Sequence, residues 1–143
     1  MKILNKRIVI VVLALGLTGM SQVALAETRD LTKDEIIAMF SGKTVWGEIA
    51  NKGLMSAKRS IKRNMVYYAP DGTFKSKRLD EKESGEGKWY VNEENLLCKE
   101  SGKTHKMKCR RVVDKNGKIK KYNGEKHVWN FSKFKDGNCI EKC

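Results

Sequence analysis

Four cysteines and two histidines are the side chains of this sequence best suited to chemistry. The cysteines are Cys98, Cys109, Cys139 and Cys143, and the histidines are His105 and His127. Such a set could bind a metal ion, but it contains no Cys-x-x-Cys pair, and the cysteines are spread widely. Four cysteines in a short chain are more typical of two disulfides. We therefore expect disulfides and no metal ion or other cofactor.

No arrangement of a nucleophile with a base is recognisable. The sequence contains neither Gly-x-Ser-x-Gly nor His-Glu-x-x-His. Several acids fall in predicted loops, where any two could be paired as a glycosidase dyad, so that no pair is singled out. These acids are Glu81, Glu83, Glu86, Glu93 and Glu94. We predict a protein without catalytic residues, and a hydrolase is the third hypothesis behind two binding functions.

Aromatic side chains and one basic run are the candidates for ligand binding. Trp89, Tyr67 and Trp129 lie on predicted strands, where such side chains fill the interior of a barrel more often than they line its mouth. The run Lys58-Arg59-Ser60-Ile61-Lys62-Arg63 stands between two predicted strands. It is either a loop that meets anionic surfaces or a solvated connection. The candidate ligand-binding residues are Trp89, Tyr67, Trp129, Lys58, Arg59, Lys62 and Arg63.

One short helix is predicted near the start of the chain, at about 32–41. Thr32 and Glu35 fit a capping box, in which each side chain accepts the backbone N–H of the other residue. Leu31 and Ile36 fit the hydrophobic staple that accompanies such a cap. Gly42 provides the left-handed residue that ends a helix.

Beyond this helix the pattern is β. Runs of β-branched and aromatic residues alternate with turn signals about every 8–12 residues, which is typical of a barrel or sandwich meander. Met107 and Cys109 alternate with Lys106, Lys108 and Arg110, which indicates one apolar, inward face and one wet, basic face. We expect a mainly β fold, an antiparallel meander that closes into a lipocalin-like up-and-down barrel, with a β-sandwich as the alternative. The predicted strands are 44–49, 65–69, 73–78, 88–91, 96–99, 106–113, 118–122 and 127–134.

The strand prediction selects one pairing of the cysteines. If 96–100 and 106–113 form a hairpin, Cys98 and Cys109 lie directly opposite each other, within reach of a disulfide. Cys139 and Cys143 are then left to join in a tight loop near the C-terminus.

The first 26 residues have the features of a cleavable signal peptide. Lys2, Lys6 and Arg7 make the start basic, an apolar run follows, and Ala24-x-Ala26 fits the cleavage site of signal peptidase. The apolar run is shorter than the about 20 residues that a membrane span needs. The sequence therefore predicts a single disulfide-stabilised β domain over 27–143, located in the periplasm or secreted.

The net charge is strongly positive. The whole chain carries +13, and the part after Ala26 keeps 27 basic and 17 acidic side chains, a net charge of +10. This surplus favours anionic partners, although a lysine-rich composition also keeps a small protein soluble. Outside the cytoplasm the partners would be anionic lipid, lipopolysaccharide or acidic glycan, and not nucleic acid.

Four groups of residues occur together, in one order, over about 30–113. They are Ser41-Gly42-Lys43-Thr44, Tyr67-Tyr68-Ala69-Pro70-Asp71-Gly72-Thr73, Gly85-Glu86-Gly87-Lys88-Trp89-Tyr90-Val91, and Leu97-Cys98 followed by Cys109. In these motifs the chain resembles an uncharacterised family of exported proteobacterial proteins, domain of unknown function 995. The resemblance implies a small barrel, a periplasmic location and a Cys98–Cys109 disulfide, and it implies no catalytic residue. The tail with Cys139 and Cys143 lies outside the matched motifs.

These features predict an exported, non-enzymatic small β-barrel that binds a small or anionic ligand or an envelope surface. The alternative is a protein-interaction or inhibitor module that uses loops on a disulfide-stabilised β scaffold. A cavity inside the barrel would favour ligand binding, whereas a filled interior would favour a surface role.

Overall fold

The computed structural model of the chain describes residues 28–49, 63–79 and 82–143. This part is mainly β, with nine strands and one short helix. In chain order the elements are β1 (Thr28–Asp30), α1 (Lys33–Phe40), β2 (Lys43–Ile49), β3 (Arg63–Tyr68), β4 (Thr73–Arg78), β5 (Ser84–Val91), β6 (Leu96–Ser101), β7 (Met107–Lys115), β8 (Lys118–Asn123) and β9 (Lys126–Asp136). None of the residues in these ranges belongs to a helix long and apolar enough to cross a membrane.

Strands β2 to β9 form a closed antiparallel barrel of eight strands. Each strand pairs with the next one along the chain, and β2 also pairs with β9, which closes the ring. The prediction of an up-and-down barrel is therefore confirmed, and the sandwich alternative is not the fold. The short β1 lies outside the ring and pairs with the end of β7, beyond the residues of β7 that pair with β6.

Two elements differ from the predicted pattern. β1 was not predicted, because its three residues are all exposed and carry no apolar alternation. β5 begins at Ser84, not at Lys88, so that Glu86 lies in a strand and not in a loop. Gly85 and Gly87, on either side of Glu86, are typical of a turn. In the structure, pairing with β4 and β6 keeps this stretch extended. Tertiary context overrides local propensity at this position.

The capping box that begins α1 is present. The Thr32 side chain accepts the N–H of Glu35 at 3.4 Å, and the Glu35 carboxylate accepts the N–H of Thr32 at 2.9 Å. A hydrogen bond from Arg29, together with that backbone bond, lowers the pKa of Glu35 to about 2. After the helix, Gly42 adopts a positive φ of 74° and its N–H bonds to the carbonyl of Tyr68, so that the chain turns directly into β2.

Helix α1 fills and closes one end of the barrel. Its Phe40 is fully buried and packs edge-to-face on Tyr68, with the ring centroids 5.1 Å apart. Tyr68 in turn packs on Trp89 at 5.2 Å. Apolar side chains from α1, from the connection before it and from the barrel strands complete this core: Leu31, Ile36, Val45, Val66, Phe74, Val91, Leu97 and Val112.

Both expected disulfides are present. Cys98 lies directly opposite Cys109 in the β6–β7 register, with the Cα atoms 3.9 Å apart. Cys139 and Cys143 are joined in the C-terminal turn, with the Cα atoms 4.5 Å apart. This turn is attached to β2 by the buried hydroxyl of Thr44, which accepts the N–H of Cys139 at 2.8 Å and donates to a carbonyl at 2.7 Å.

The orientation of β7 is opposite to the expected one. Lys108 and Arg110 face the interior of the barrel, whereas Met107 is 44 % exposed. The expectation of an apolar inner face is therefore wrong for this stretch. The physical reason is that Val112 enters the core, and the alternation of a strand then places every second residue before it on the inner face as well. Cys109 is left on the outer face with its disulfide.

Candidate ligand-binding cavity

A cavity of about 460 Å³ occupies the end of the barrel opposite α1. Residues of the β4–β5 connection and of the β6–β7 connection line its mouth, among them Glu83 and Thr104. Gly85 lies on the inner wall formed by β5, where it places no side chain in the cavity. One end of the barrel is therefore filled and the other is hollow and open to solvent.

The lining of this cavity is strongly basic. Six basic and two acidic side chains line it, which leaves a clear positive surplus. At the mouth, Arg78 pairs with Glu83 at 2.7 Å, so these two charges offset each other. The surplus comes from four cations on the inner face, of which Lys99, Arg110 and Lys121 are half-buried and Lys108 is exposed, and from the exposed Lys106.

Aromatic rings hold the two innermost ammonium groups. Nζ of Lys99 lies 3.9 Å from the ring centroid of Phe74, and Nζ of Lys121 lies 5.3 Å from that of Trp129. These are cation–π distances, but such contacts do not neutralise a charge. Throughout 28–49, 63–79 and 82–143, no carboxylate forms an ion pair with either lysine. Both ammonium groups are thus positioned without a counter-charge from any residue of the described segments.

This environment lowers the pKa of both lysines. Burial, followed by the positive charge of Lys121, lowers the pKa of Lys99 to about 7. Burial, followed by the charges of Arg110 and Lys108, lowers the pKa of Lys121 to about 8. Like charges that crowd together in a partly desolvated space disfavour protonation, and a bound anion would reverse that effect.

A smaller chamber of about 70 Å³ lies between the two lysines and the core. Asn64 contributes to its wall, and the side-chain oxygen of Asn64 is buried with no hydrogen-bond partner among the atoms of the described segments. The oxygen and nitrogen of such an amide are interchangeable by a flip, so that Asn64 can offer a donor or an acceptor. The chamber therefore combines two cations with one amide whose oxygen has no partner among the described residues.

Of the sequence-predicted ligand residues that the structure describes, Trp129 alone lies beside the inner lysines. Trp129 lines the inner chamber beside Lys121. Trp129 also requires glycine at position 47, because a Cβ there would lie 2.1 Å from its indole nitrogen. Trp129 therefore packs directly on β2 at Gly47, and its ring faces the ammonium group of Lys121.

The other candidates lie elsewhere. Trp89 belongs to the filled end, is 6 % exposed, and donates its indole N–H to the carbonyl of Ala69 at 2.9 Å. Tyr67 is half-buried on the outer face of β3, and Arg63 is exposed beside a shallow groove of about 200 Å³. Lys58, Arg59 and Lys62 lie outside the described residues.

The four inner cations were not among the sequence-predicted site residues. The feature of the sequence that could have revealed them is their spacing from core residues. Lys99 follows the core residue Leu97 by two, and Lys121 follows Ile119 by two, so alternation places each lysine on the inner face. The register that pairs Cys98 with Cys109 also pairs Lys99 with Lys108. Charged residues at inward positions were overlooked because an inner face was expected to be apolar.

Neither histidine lies in this cavity's lining. His105 is largely exposed and lies 3.5 Å from Glu100, and His127 stacks on Tyr122 with 5.1 Å between the ring centroids. Over the described part of the chain, no three His, Cys, Asp or Glu side chains come together in a way that could hold a metal ion.

Comparison with known proteins identifies no relative: no family model matches the chain, and neither a curated protein nor a solved structure does. The resemblance to domain of unknown function 995 therefore stays a prediction.

Proposed function

We propose that this protein is a non-enzymatic binding protein that holds a small, hydroxyl-bearing anion inside its barrel. The observation that carries the proposal is the set of inward-facing cations, Lys99, Lys108, Arg110 and Lys121, around an open cavity. Cations that lack a local carboxylate raise the free energy of the empty protein. A ligand with a phosphate or carboxylate group would supply the missing counter-charge.

The rest of the lining supports a polar ligand and not an acyl chain. Ser84, Ser101 and Thr104 add hydroxyl groups between the basic side chains. A fatty chain would need an apolar wall at these positions, because burying unpaired polar groups against it is costly. The favoured class is therefore a phosphorylated or carboxylated sugar or polyol, whether free, part of an acidic glycan, or part of a lipopolysaccharide. A lipocalin-like use of the fold, with the ligand in the mouth of a small barrel, fits this class.

The proposal includes export to the periplasm or beyond the cell. All four cysteines are joined in disulfides, which is typical of proteins in an oxidising compartment. The predicted signal peptide lies outside the described residues. Expression in a Gram-negative host with fractionation and N-terminal sequencing tests this step. We expect a periplasmic protein that begins at Glu27, and a cytoplasmic protein that begins at Met1 would contradict it.

Binding is tested by titration of the protein with pyrophosphate, glucose 6-phosphate and glucuronate at low ionic strength. We expect binding of at least one of these probes, seen by calorimetry and by a change in Trp129 fluorescence. Lys99→Met and Lys121→Met should each weaken it about tenfold or more, since each removes one charge-assisted contact. Lys118→Met, at an exposed position of β8, is the matched control and should leave it unchanged.

Two results would redirect the proposal. If no probe binds at low ionic strength, the cavity is not an anion site, and the protein-interaction or inhibitor module becomes the leading function. The same holds if a probe binds equally well to the Lys99→Met and Lys121→Met variants, because the anion would then be held on the outer surface.

A further inference from the structure

We infer that Lys99 is a nucleophilic amine that captures small anionic aldehydes and oxo acids as a Schiff base in the barrel cavity. This inference deepens the proposed function and rests on it, because the same cavity must first hold the anionic group. It adds a covalent step and names a carbonyl group as part of the ligand.

The first argument is the placement of the amine. Lys99 projects from β6 into the cavity, with its Nζ 3.9 Å from the ring centroid of Phe74 and 5.5 Å from that of Tyr68. On the strand beside it, Trp89 is its direct cross-strand neighbour. Aromatic side chains thus surround the amine on the core side, and the cavity lies on the other side. An exposed lysine is solvated in all directions and is rarely held so that one face of the nitrogen meets a ligand.

The second argument is the charge of the groups that face Lys99. From β7 it meets Lys108 as its cross-strand partner, and from β8 it meets Lys121 in the shared chamber. From β3 come the amide of Asn64 and the phenol of Tyr68, and the pKa of that phenol is raised by burial. Within the part of the chain that the structure describes, every fully charged group facing the amine is therefore a cation.

This setting keeps a large share of Lys99 as the free amine at neutral pH. Its pKa is lowered to about 7 by burial and by the charge of Lys121. An ordinary lysine has a pKa of about 10.4, so Lys99 has a free-amine fraction on the order of 10³ times larger at pH 7. Desolvation of a lysine beside another cation is an established way of activating it toward carbonyl groups.

The third argument is that the cavity can orient a carbonyl compound. Lys108, Arg110 and Lys121 can hold a carboxylate or phosphate while the rest of the molecule occupies the cavity of about 460 Å³. A carbonyl carbon held near Nζ of Lys99 would react as if it were at high effective concentration.

The chemistry is balanced without an oxidant or a reductant. The nitrogen lone pair of the neutral amine attacks the carbonyl carbon, and a C–N bond forms while the C=O π bond opens. The carbonyl oxygen then leaves as water, with one proton from the amine and one from solvent. The product is a protonated imine, which carries one positive charge as the lysine ammonium did. Hydrolysis reverses every step, so that capture is reversible.

Reductive trapping tests the inference directly. The protein is incubated with glyoxylate and cyanoborohydride near pH 7, and peptide mass spectrometry then measures carboxymethylation of each lysine. We expect Lys99 to be labelled faster than the exposed Lys118 on the order of tenfold or more, because the gain in free amine exceeds the loss of nucleophilicity at lower pKa. Excess inorganic phosphate should slow the labelling of Lys99 and not that of Lys118.

Lys99→Arg is the critical variant, because it keeps the cation and removes the nucleophile. This variant should still bind inorganic phosphate in calorimetry, and the fastest labelling should be lost with the Lys99 amine. Any labelling faster than that of Lys118 should then fall on Lys121, whose pKa is also lowered but less far. Circular dichroism of the variant checks that its fold is kept. If the natural protein binds phosphate but Lys99 is labelled no faster than Lys118, the capture step is wrong and the proposed function stands. If it neither binds phosphate nor labels selectively, both are overturned.

Discussion

Lys99 and Lys121 hold partly desolvated charges that the rest of the described barrel does not balance. Their ammonium groups rest on aromatic rings and meet Lys108 and Arg110 across the cavity. This arrangement lowers the pKa of both lysines, so that each has a larger fraction of neutral amine at a given pH than an exposed lysine has. Under the proposed function, the two lysines lower the stability of the empty barrel and increase its affinity for an anion.

The lowered pKa of Lys99 predicts a particular dependence of stability on pH. Its pKa is about 7 in the folded protein against a model value of 10.5, so the unfolded chain binds more protons between these values. The free energy of unfolding should therefore rise as pH increases from about 7 toward 10, and the full penalty should be present below about 6. The charged groups that face Lys99 are the cations Lys108, Arg110 and Lys121. Their positive charges also disfavour the protonated form of Lys99, as burial does.

Lys99→Met tests this dependence in urea unfolding at about pH 6 and about pH 9.5. We expect the variant to be more stable than the natural protein by about 1–2 kcal/mol at the lower pH, a value reduced for screening by cavity water. The difference should shrink at the higher pH, where Lys99 is neutral. The exposed Lys118→Met should show no such trend, and an equal effect of Lys99→Met at both pH values would contradict the lowered pKa.

At the scale of elements, α1 depends on its cap. Thr32→Ala removes the side chain that accepts the N–H of Glu35, and we expect a loss of about 1 kcal/mol in the free energy of unfolding. Because α1 closes the filled end of the barrel, the loss should appear in global unfolding and not only in helix content. Thr32→Ser keeps the hydroxyl and should restore most of the stability. A similar loss in both variants would show that the methyl group of Thr32 matters and the cap does not.

The two disulfides should contribute unequally. Cys98–Cys109 spans 11 positions and Cys139–Cys143 spans 4, and the longer loop restricts the unfolded chain more. From loop entropy we expect a loss of about 3 kcal/mol for the double substitution to Ala at Cys98 and Cys109, and about 2 kcal/mol for that at Cys139 and Cys143. Urea unfolding of both double variants measures this order, and a reversed order would mean that the tail anchored by Thr44 matters more than loop length.

The elements were more predictable than the site, for a physical reason. Thr32 and Glu35 show the helix start through local hydrogen bonding, and opposed Cys98 and Cys109 show the β6–β7 register. Such features depend on neighbours in sequence or on one hairpin. The site depends on which face of each strand closes around the interior, and this is decided by the whole ring. Lys99, Lys108 and Lys121 come from three neighbouring strands, and only the closed ring turns their shared face into the wall of a cavity.

At the scale of the whole molecule, the positive charges of the described residues lie in two different places. Some cations line the cavity, and others, such as Lys118 and Lys126, are exposed on the outer surface. Charges on the outer surface are screened over a Debye length of about 10 Å at 0.1 M salt, whereas charges in a confined cavity are screened less. The two proposed functions, attraction to an envelope surface and binding of a small anion, can therefore be separated in two ways. They should differ in salt dependence, and they should depend on different lysines.

The last prediction uses that separation, with vesicles of anionic phospholipid and with pyrophosphate as probes. Raising NaCl from about 0.02 M to about 0.3 M should abolish vesicle binding but weaken pyrophosphate binding far less. Lys99→Met should weaken pyrophosphate binding about tenfold or more and leave vesicle binding unchanged. The double variant Lys118→Met, Lys126→Met should instead weaken vesicle binding and leave pyrophosphate binding unchanged. If both probes respond equally to salt and both depend on Lys118 and Lys126, the positive charge acts only at the surface. The cavity would then be a solvent-filled mouth without a ligand, and the envelope role would remain as the better function.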